Sequence, residues 1–244
     1  MYESMEMRKV MADWLDAKLA TDDKIVVLDA DLARANGTLS LLKKYPDRMI
    51  DVGIAESNMA SIAAGLSSYG YKPFIYSFCP FVTRRICDQV TISIAYAGQN
   101  VKIVGTDPGI AAAFNGGTHQ SQEDIGVMRS IPGMVIYEPA DGAQLAKALP
   151  SIYEYDGPVY IRLFRKVPDA TYFEKEDYQF DLFKADVMKE GSDVTLFASG
   201  VEVKEAMEAA EILAAEGIKA EVINVHTIKP IDKETVLASV NKTG

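Results

Sequence analysis

The sequence predicts an α/β fold: a doubly wound, mainly parallel sheet followed by a partial second α/β unit. Two observations carry that prediction. Over residues 1–167, short apolar runs of strand length alternate with longer stretches of helical periodicity, the signature of a parallel sheet with helices on both faces. The alternation lapses over residues 168–190, where acids and aromatics such as Tyr172, Phe173 and Tyr178 intermingle, and resumes over 191–244. These limits divide the chain into a first unit, a linker and a second unit.

Each element has its own signal. Residues 3–20 keep a helical apolar period and 25–28 read as a buried strand. A helix at 56–69, rich in small residues, leads to a strand at 73–78. Pro80 breaks that strand, and helical spacing covers about 82–97. A strand at 101–106, a long glycine-bearing loop, a strand at 134–137, a helix at 141–155 and a strand at 158–163 complete the first unit. The linker has room for a short hairpin. A βαβ unit then runs through a strand at 193–198, a helix at 203–215 ended by Gly217, and a strand at 220–225, with a last helix from about Asp232.

Composition narrows the function classes. With 244 residues, of which 48% are hydrophobic, the chain has enough apolar material for a sizeable core. A net charge of −10 argues against a general nucleic-acid surface, which needs clustered cations to release counterions. The two cysteines, Cys79 and Cys87, have no metal-ligand spacing, so neither a zinc site nor a disulfide framework is expected. The N-terminus is polar and no apolar run approaches membrane-spanning length, so a cytoplasmic protein without leader or span is expected.

Three segments carry candidate chemistry. Glu56, in Asp51-Val-Gly-Ile-Ala-Glu-Ser-Asn-Met59, stands where a strand gives way to an apolar helix; a poorly solvated carboxyl group there can share a proton with a bound heterocycle. Phe78 and Phe81 stand at a strand-to-helix corner, where an open α/β sheet presents ligand-binding groups and two aromatic faces can hold a planar ring. Gly116 and Gly117 deliver His119 to a loop tip as a candidate proton or hydrogen-bond donor to a substrate oxygen. Taken singly, each has a plainer role: a helix N-terminal acid, core aromatics, a surface histidine. Arg84, Arg85, Arg162, Arg165 and Lys166 are the cations available to an anionic substrate, with a solvated helix face as the alternative for Arg84 and Arg85.

Taken together, Asp29-Ala-Asp-Leu32, Gly53-Ile-Ala-Glu-Ser-Asn-Met59, the aromatic corner ending in Asp88-Gln89, Gly117-Thr-His-Gln120 and Glu138-Pro-Ala-Asp141 resemble the pyrimidine-binding half of thiamine-diphosphate enzymes. The likeness is nearest to transketolase in its split form, as the C-terminal subunit, and it runs over the whole chain. The resemblance implies that Glu56 hydrogen-bonds ring nitrogen N1′ of the cofactor's aminopyrimidine, that Phe78 and Phe81 stack on that ring, and that Asp31 contributes to cofactor binding. It implies that His119 acts on the donor's transferred two-carbon unit, and that Arg165, with Arg162 and Asn115, contacts substrate. Sugar phosphates of the pentose phosphate pathway are the implied substrates.

No Gly-Asp-Gly motif occurs in the chain, so the resemblance assigns the diphosphate and its Mg2+ or other divalent cation to an N-terminal partner subunit, within an α2β2 assembly. No metal ligand is expected here. Three departures from the family stand out. Asn115 takes the place of an aspartate that reads an acceptor hydroxyl, and Asp107 that of a histidine near the phosphate; an acid there repels a phosphate and points to an unusual or unphosphorylated sugar. The chain also stops short of several elements of the family's last domain, so its second sheet is expected to be incomplete and to lean on the first unit or a partner. Alternatives in the same superfamily are a deoxyxylulose-phosphate synthase and the beta subunit of a 2-oxo acid dehydrogenase; a non-catalytic regulatory subunit is the alternative of another class. The leading reading requires Glu56 to face the cleft that the aromatics enclose and to be free of a salt bridge.

Overall fold

The computed structural model describes residues 6–164 and 170–244. The strands of the larger sheet are β1 (Ile25–Asp29), β2 (Met49–Asp51), β3 (Lys72–Phe78), β4 (Lys102–Thr106), β5 (Val135–Tyr137) and β6 (Val159–Leu163). They lie in the order β5-β6-β4-β3-β1-β2, all parallel. The first helices are α1 (Met7–Thr21), α2 (Ala33–Asn36), α3 (Leu39–Lys44) and α4 (Glu56–Ser68). Then come α5 (Cys79–Val82), α6 (Cys87–Gln89), a π-helix (Val90–Tyr96), α7 (Asp124–Ser130) and α8 (Gly142–Glu154).

Side-chain alternation along the strands explains the two layers. Val27, Phe74, Tyr76, Val104 and Ile161 point to one face and pack with α1, α3 and α8 through Met11, Leu15, Leu41, Leu145 and Ile152. Val26, Leu28, Ile75, Ile103 and Tyr160 point to the other, against Met59, Ala60 and Ala63 of α4 and Val82, Ile86, Val90, Ile94 and Met128. The alanines of α4 bring its backbone close to the sheet, which sets the position of its first residue, Glu56. Both sheet faces are therefore covered, as the fold class predicts.

The second unit contains β7 (Asp186–Lys189), β8 (Val194–Ala198), α9 (Glu202–Ala215), β9 (Ala220–Asn224), β10 (Thr227–Lys229) and α10 (Lys233–Thr243). Among the described residues, β7, β9 and β8 form a separate three-stranded sheet, with β8 at its edge. Gly217, at φ 83°, stands just past the end of α9 as the spacing predicts. The strand β7 falls inside the stretch read as linker. Its partly exposed, irregular pairing with β9 explains why no two-residue alternation announced it. The strand β10 leaves its own unit and pairs antiparallel with β5, becoming the outermost strand of a seven-stranded sheet. The second unit thus leans on the first through a shared sheet.

The junction is polar. Asp186 accepts hydrogen bonds from the Tyr178 hydroxyl at 3.2 Å, the Gln144 amide at 3.0 Å and the Asn224 amide at 3.3 Å. Burial pushes the Asp186 carboxyl up to about 6 against these donors. His226, fully buried between Tyr137 and Phe180, is held down to about 4, chiefly by burial. The ring is neutral at pH 7, so its 3.8 Å approach to Asp186 is no ion pair there. A base whose folded value lies below its unfolded one contributes stability that is present above about 6.5 and is lost as pH falls through about 4. Asp186 acts in the opposite sense over much of that range, so wild-type stability alone does not isolate His226. The advantage of the wild type over His226→Gln should instead shrink by roughly 3 kcal/mol between pH 7 and pH 4. Chemical denaturation of both proteins at a series of pH values measures this, and a pH-independent difference would refute it.

Candidate active site

A cleft of about 260 Å³ opens at the C-terminal ends of the parallel strands, lined by Ala30, Asp31, Leu32, Ile54, Glu56, Phe81, Arg85 and His119. Its location follows from topology. From β1 the chain moves outward to β2, whereas β3 returns on the other side of β1 and β4 lies beyond it, so the connections after β1 and β3 diverge and leave a crevice. The segment after β1 supplies Ala30–Leu32, that after β2 supplies Ile54 and Glu56, that after β3 supplies Phe81 and Arg85, and that after β4 supplies His119.

The backbone here is held in uncommon conformations by specific bonds. Asp31 has φ 61° and Asp107 φ 58°, each just beyond the end of a strand, a setting in which backbone strain accompanies function. The fully buried Asp29 carboxylate accepts from the Leu32 backbone N–H at 2.7 Å and the Asn36 amide at 2.7 Å. Asn36 in turn accepts from the Thr106 hydroxyl at 3.0 Å, tying the end of β1 to the end of β4. Burial pushes the Asp29 carboxyl up to about 6, with the Asp51 charge adding to the shift and the donors opposing it. Asp51 accepts from the backbone N–H groups of Asp31 at 3.0 Å and Gly53 at 2.9 Å, which joins the segments on either side of the cleft.

Glu56 is the first residue of α4 and is only 4% exposed, with its carboxylate facing the cleft. Phe78 closes β3 and Phe81 lies in α5; their ring centroids are 6.0 Å apart. The helix expected from about residue 82 instead begins at Cys79, is interrupted by a turn at 83–86, and resumes as α6 and the π-helix. Thr83, whose hydroxyl donates back to the Cys79 carbonyl, stands at the break with φ −120° and ψ −84°. That turn, rather than a solvated helix face, carries Arg84 and Arg85.

The loop after β4 is pinned at its base by a bridge between Gly109 and Ser121 and turned by Gly116 at φ 79°. It brings the His119 ring edge-on to Phe78 and Phe81, at centroid distances of 5.7 and 5.3 Å. The His119 Nδ1 and the Thr118 hydroxyl share a hydrogen bond of 2.9 Å, which leaves Nε2 to act on a bound molecule. Glu56, Phe81, His119 and Asp31 therefore share one cleft, with Phe78 directly behind it.

The remaining expected residues fall elsewhere. Asn115 is exposed on a short 3₁₀ turn, Ala113–Asn115, outside the cleft's lining. Arg165 lies outside the described residues. Arg162 lines a neighbouring cavity of about 590 Å³, together with Glu138, Phe164 and Ser199. Its guanidinium is engaged by two carboxylates: Nε donates to Asp124 at 2.7 Å and Nη1 to Glu138. Burial works to strip its proton, but Glu138 and Asp124 outweigh that and hold it above the ordinary arginine range.

One requirement of the sequence reading is met and one is not. Glu56 faces the aromatic cleft, but it is in a salt bridge: Arg85 Nη1 donates to Glu56 Oε1. The Arg85 guanidinium carbon also sits 3.9 Å over the Phe81 ring, with the side chain 44% exposed. Sequence reasoning counted Arg85 as a cation for an anionic substrate or as part of a solvated helix face. It missed this pairing because the residues are 29 positions apart and the turn that joins them interrupts the helical period.

A buried carboxylate, an aromatic wall and a histidine thus meet at the switch point of a doubly wound sheet, the place where open α/β sheets bind ligands. The family model for the transketolase pyrimidine-binding domain matches residues 3–168, and that for the transketolase C-terminal domain matches residues 183–244. The 6-deoxy-6-sulfo-D-fructose transketolase subunit SqwH of Clostridium sp. (strain MSTE9) is 54% identical over 98% of this chain and 73% of its own length. An apulose-4-phosphate transketolase subunit of Phocaeicola vulgatus is 38% identical over 97% of this chain and 76% of its own. A split-gene transketolase described as an inactive β4 tetramer superposes with a TM-score of 0.88 at 38% identity, covering 99% of this chain and 78% of that one. The chain belongs to the transketolase family. No helix among the described residues is long and apolar enough to cross a membrane.

Proposed function

We propose that this chain is the C-terminal subunit of a split, thiamine-diphosphate-dependent transketolase that moves a two-carbon ketol unit from a ketose to an aldose. One observation carries the reading: Glu56, Phe81 and His119, supplied after different strands, line a single cleft. The Glu56–Arg85 salt bridge, which the sequence reading required to be absent, must open for an aminopyrimidine to enter. The cleft's fit to such a ring is supported by the contacts the half-exposed guanidinium now makes, a hydrogen bond at Glu56 and a face on Phe81. When bound, thiamine diphosphate supplies the nucleophilic carbon and electron sink of the reaction.

The chain's own groups do the rest. Glu56 holds a proton against N1′ of the ring; Phe81, backed by Phe78, fixes the ring's plane; Asp31 shapes the rim. His119 donates from Nε2 to the donor sugar's oxygen, its other nitrogen steadied by Thr118. Arg165 meets the anionic end of the sugar, where two parallel N–H donors suit a phosphate or a sulfonate alike. Asn115 acts on the acceptor from the loop after β4. The SqwH relative acts on a sulfo-sugar and the Phocaeicola relative on a sugar phosphate, so an anion-ended ketose is the substrate class. This class replaces the narrower pentose phosphate assignment. The first unit ends near residue 167, and the second takes in β7 and so begins ahead of Asp186.

The diphosphate and its divalent cation belong to an N-terminal partner bearing a Gly-Asp-Gly motif, within an α2β2 assembly in the cytoplasm. The inactivity of the split-gene β4 tetramer supports that division of labour. Reconstitution tests it. This chain mixed with such a partner, thiamine diphosphate and Mg2+ should turn over 6-deoxy-6-sulfofructose or fructose 6-phosphate with an aldose acceptor, and either subunit alone should not. Turnover of pyruvate instead, or none of any donor by a folded complex, would overturn the reading.

A further inference from the structure

We propose that Arg85 is a built-in occupant of the cofactor-ring site, which holds Glu56 and Phe81 in the unloaded chain and swings out when the ring binds. This inference rests on the function proposed above. The guanidinium makes the two contacts that a flat heterocycle would need: its N–H donates to the Glu56 carboxylate, and its face lies 3.9 Å over Phe81. Both partners are nearly buried, Glu56 at 4% and Phe81 at 8% exposure, whereas the Arg85 side chain is 44% exposed and so has an open path to solvent.

The local backbone suits a side chain that moves. Arg85 stands in the turn at 83–86, between α5 and the helices that follow, and is tethered through its own N–H to the Pro80 carbonyl at 3.1 Å. Its neighbour Arg84 is engaged elsewhere, with Glu123 at 2.6 Å, and does not compete for Glu56. Departure of Arg85 without a replacement strands a buried carboxylate, which is costly. An incoming ring nitrogen that shares a proton with Glu56 removes that cost, so release of the arginine and entry of the ring are coupled. The device protects an otherwise unpaired buried charge in the free subunit, at the expense of apparent cofactor affinity.

The test is calorimetric titration of thiamine diphosphate with Mg2+ into the complex of this chain with its N-terminal partner, comparing wild type, Arg85→Ala and Arg85→Gln. If Arg85 fills the site for about nine-tenths of the time, its removal should tighten the dissociation constant by ~10-fold. The cofactor-free Arg85→Ala chain should also melt at a lower temperature, because Glu56 is left alone. Arg85→Gln is smaller and uncharged, keeps one N–H donor for Glu56, and should fall between the two. Should Arg85→Ala fail to assemble, Arg85→Gln must still bind more tightly than wild type. Unchanged or weaker binding in folded variants would overturn the occupant role and leave the proposed function intact. No binding by wild type or variants would overturn both.

Discussion

Replacing Glu56 by Gln should lower turnover of the reconstituted enzyme by about 10²- to 10⁴-fold, the usual contribution of a positioned acid–base group, while the chain keeps its fold. The amide matches the carboxylate in size and can still accept a hydrogen bond from Arg85, so the cleft's geometry survives. What it cannot do is hold a proton against a ring nitrogen. Because glutamine weakens the hold on Arg85 as well as on the cofactor ring, the loss in cofactor affinity should be much smaller than the loss in rate. Steady-state kinetics, cofactor titration and thermal melting on the same preparations separate these quantities. Near-normal turnover by Glu56→Gln in the complex would remove Glu56 from the mechanism.

Much of the architecture was legible because buried parallel strands are continuous apolar runs. Ile25–Asp29, Lys72–Phe78 and Lys102–Thr106 are buried along nearly their whole length around an apolar centre, and each was expected within a residue at either end. The elements that escaped are short or lack a period. Among them, α2 is a four-residue helix organised by the Asp29 carboxylate, a bond invisible in sequence, and α3 has only six residues. The strands β7 and β10 are defined by the partner each finds, β9 and β5, and not by their own pattern. The site divides in the same way. Glu56, Phe81 and His119 follow strand ends, and topology gathers strand ends at one edge of the sheet. Arg85 follows no such rule, since its role depends on the break at Thr83, which diverts the chain out of a helix that simple periodicity would continue.

Arg162 is where sequence and structure point to different experiments, and Arg162→Met separates them. If the guanidinium serves chiefly to contact substrate, the variant should fold normally and raise the donor KM. Its surroundings argue for a larger structural effect. Asp124, 1% exposed at the start of α7, accepts from Arg162 and from the Tyr160 hydroxyl at 2.8 Å. Glu138, just beyond β5, accepts from Arg162 and from Ser199 of the second unit at 2.8 Å. Next to Ser199, Gly200 has φ 56°, and a Cβ there would lie 2.6 Å from the Glu138 side chain, so the second unit is fitted closely to this carboxylate. Removing one partner of a buried ionic network leaves the others uncompensated, at a cost of about 3–5 kcal/mol. Arg162→Met should therefore destabilise the chain by that order, as measured by chemical denaturation. Adding Glu138→Gln should recover part of the loss, because one stranded charge is then removed, whereas two independent lesions would add. A stable Arg162→Met protein with a raised KM would return this arginine to the substrate site.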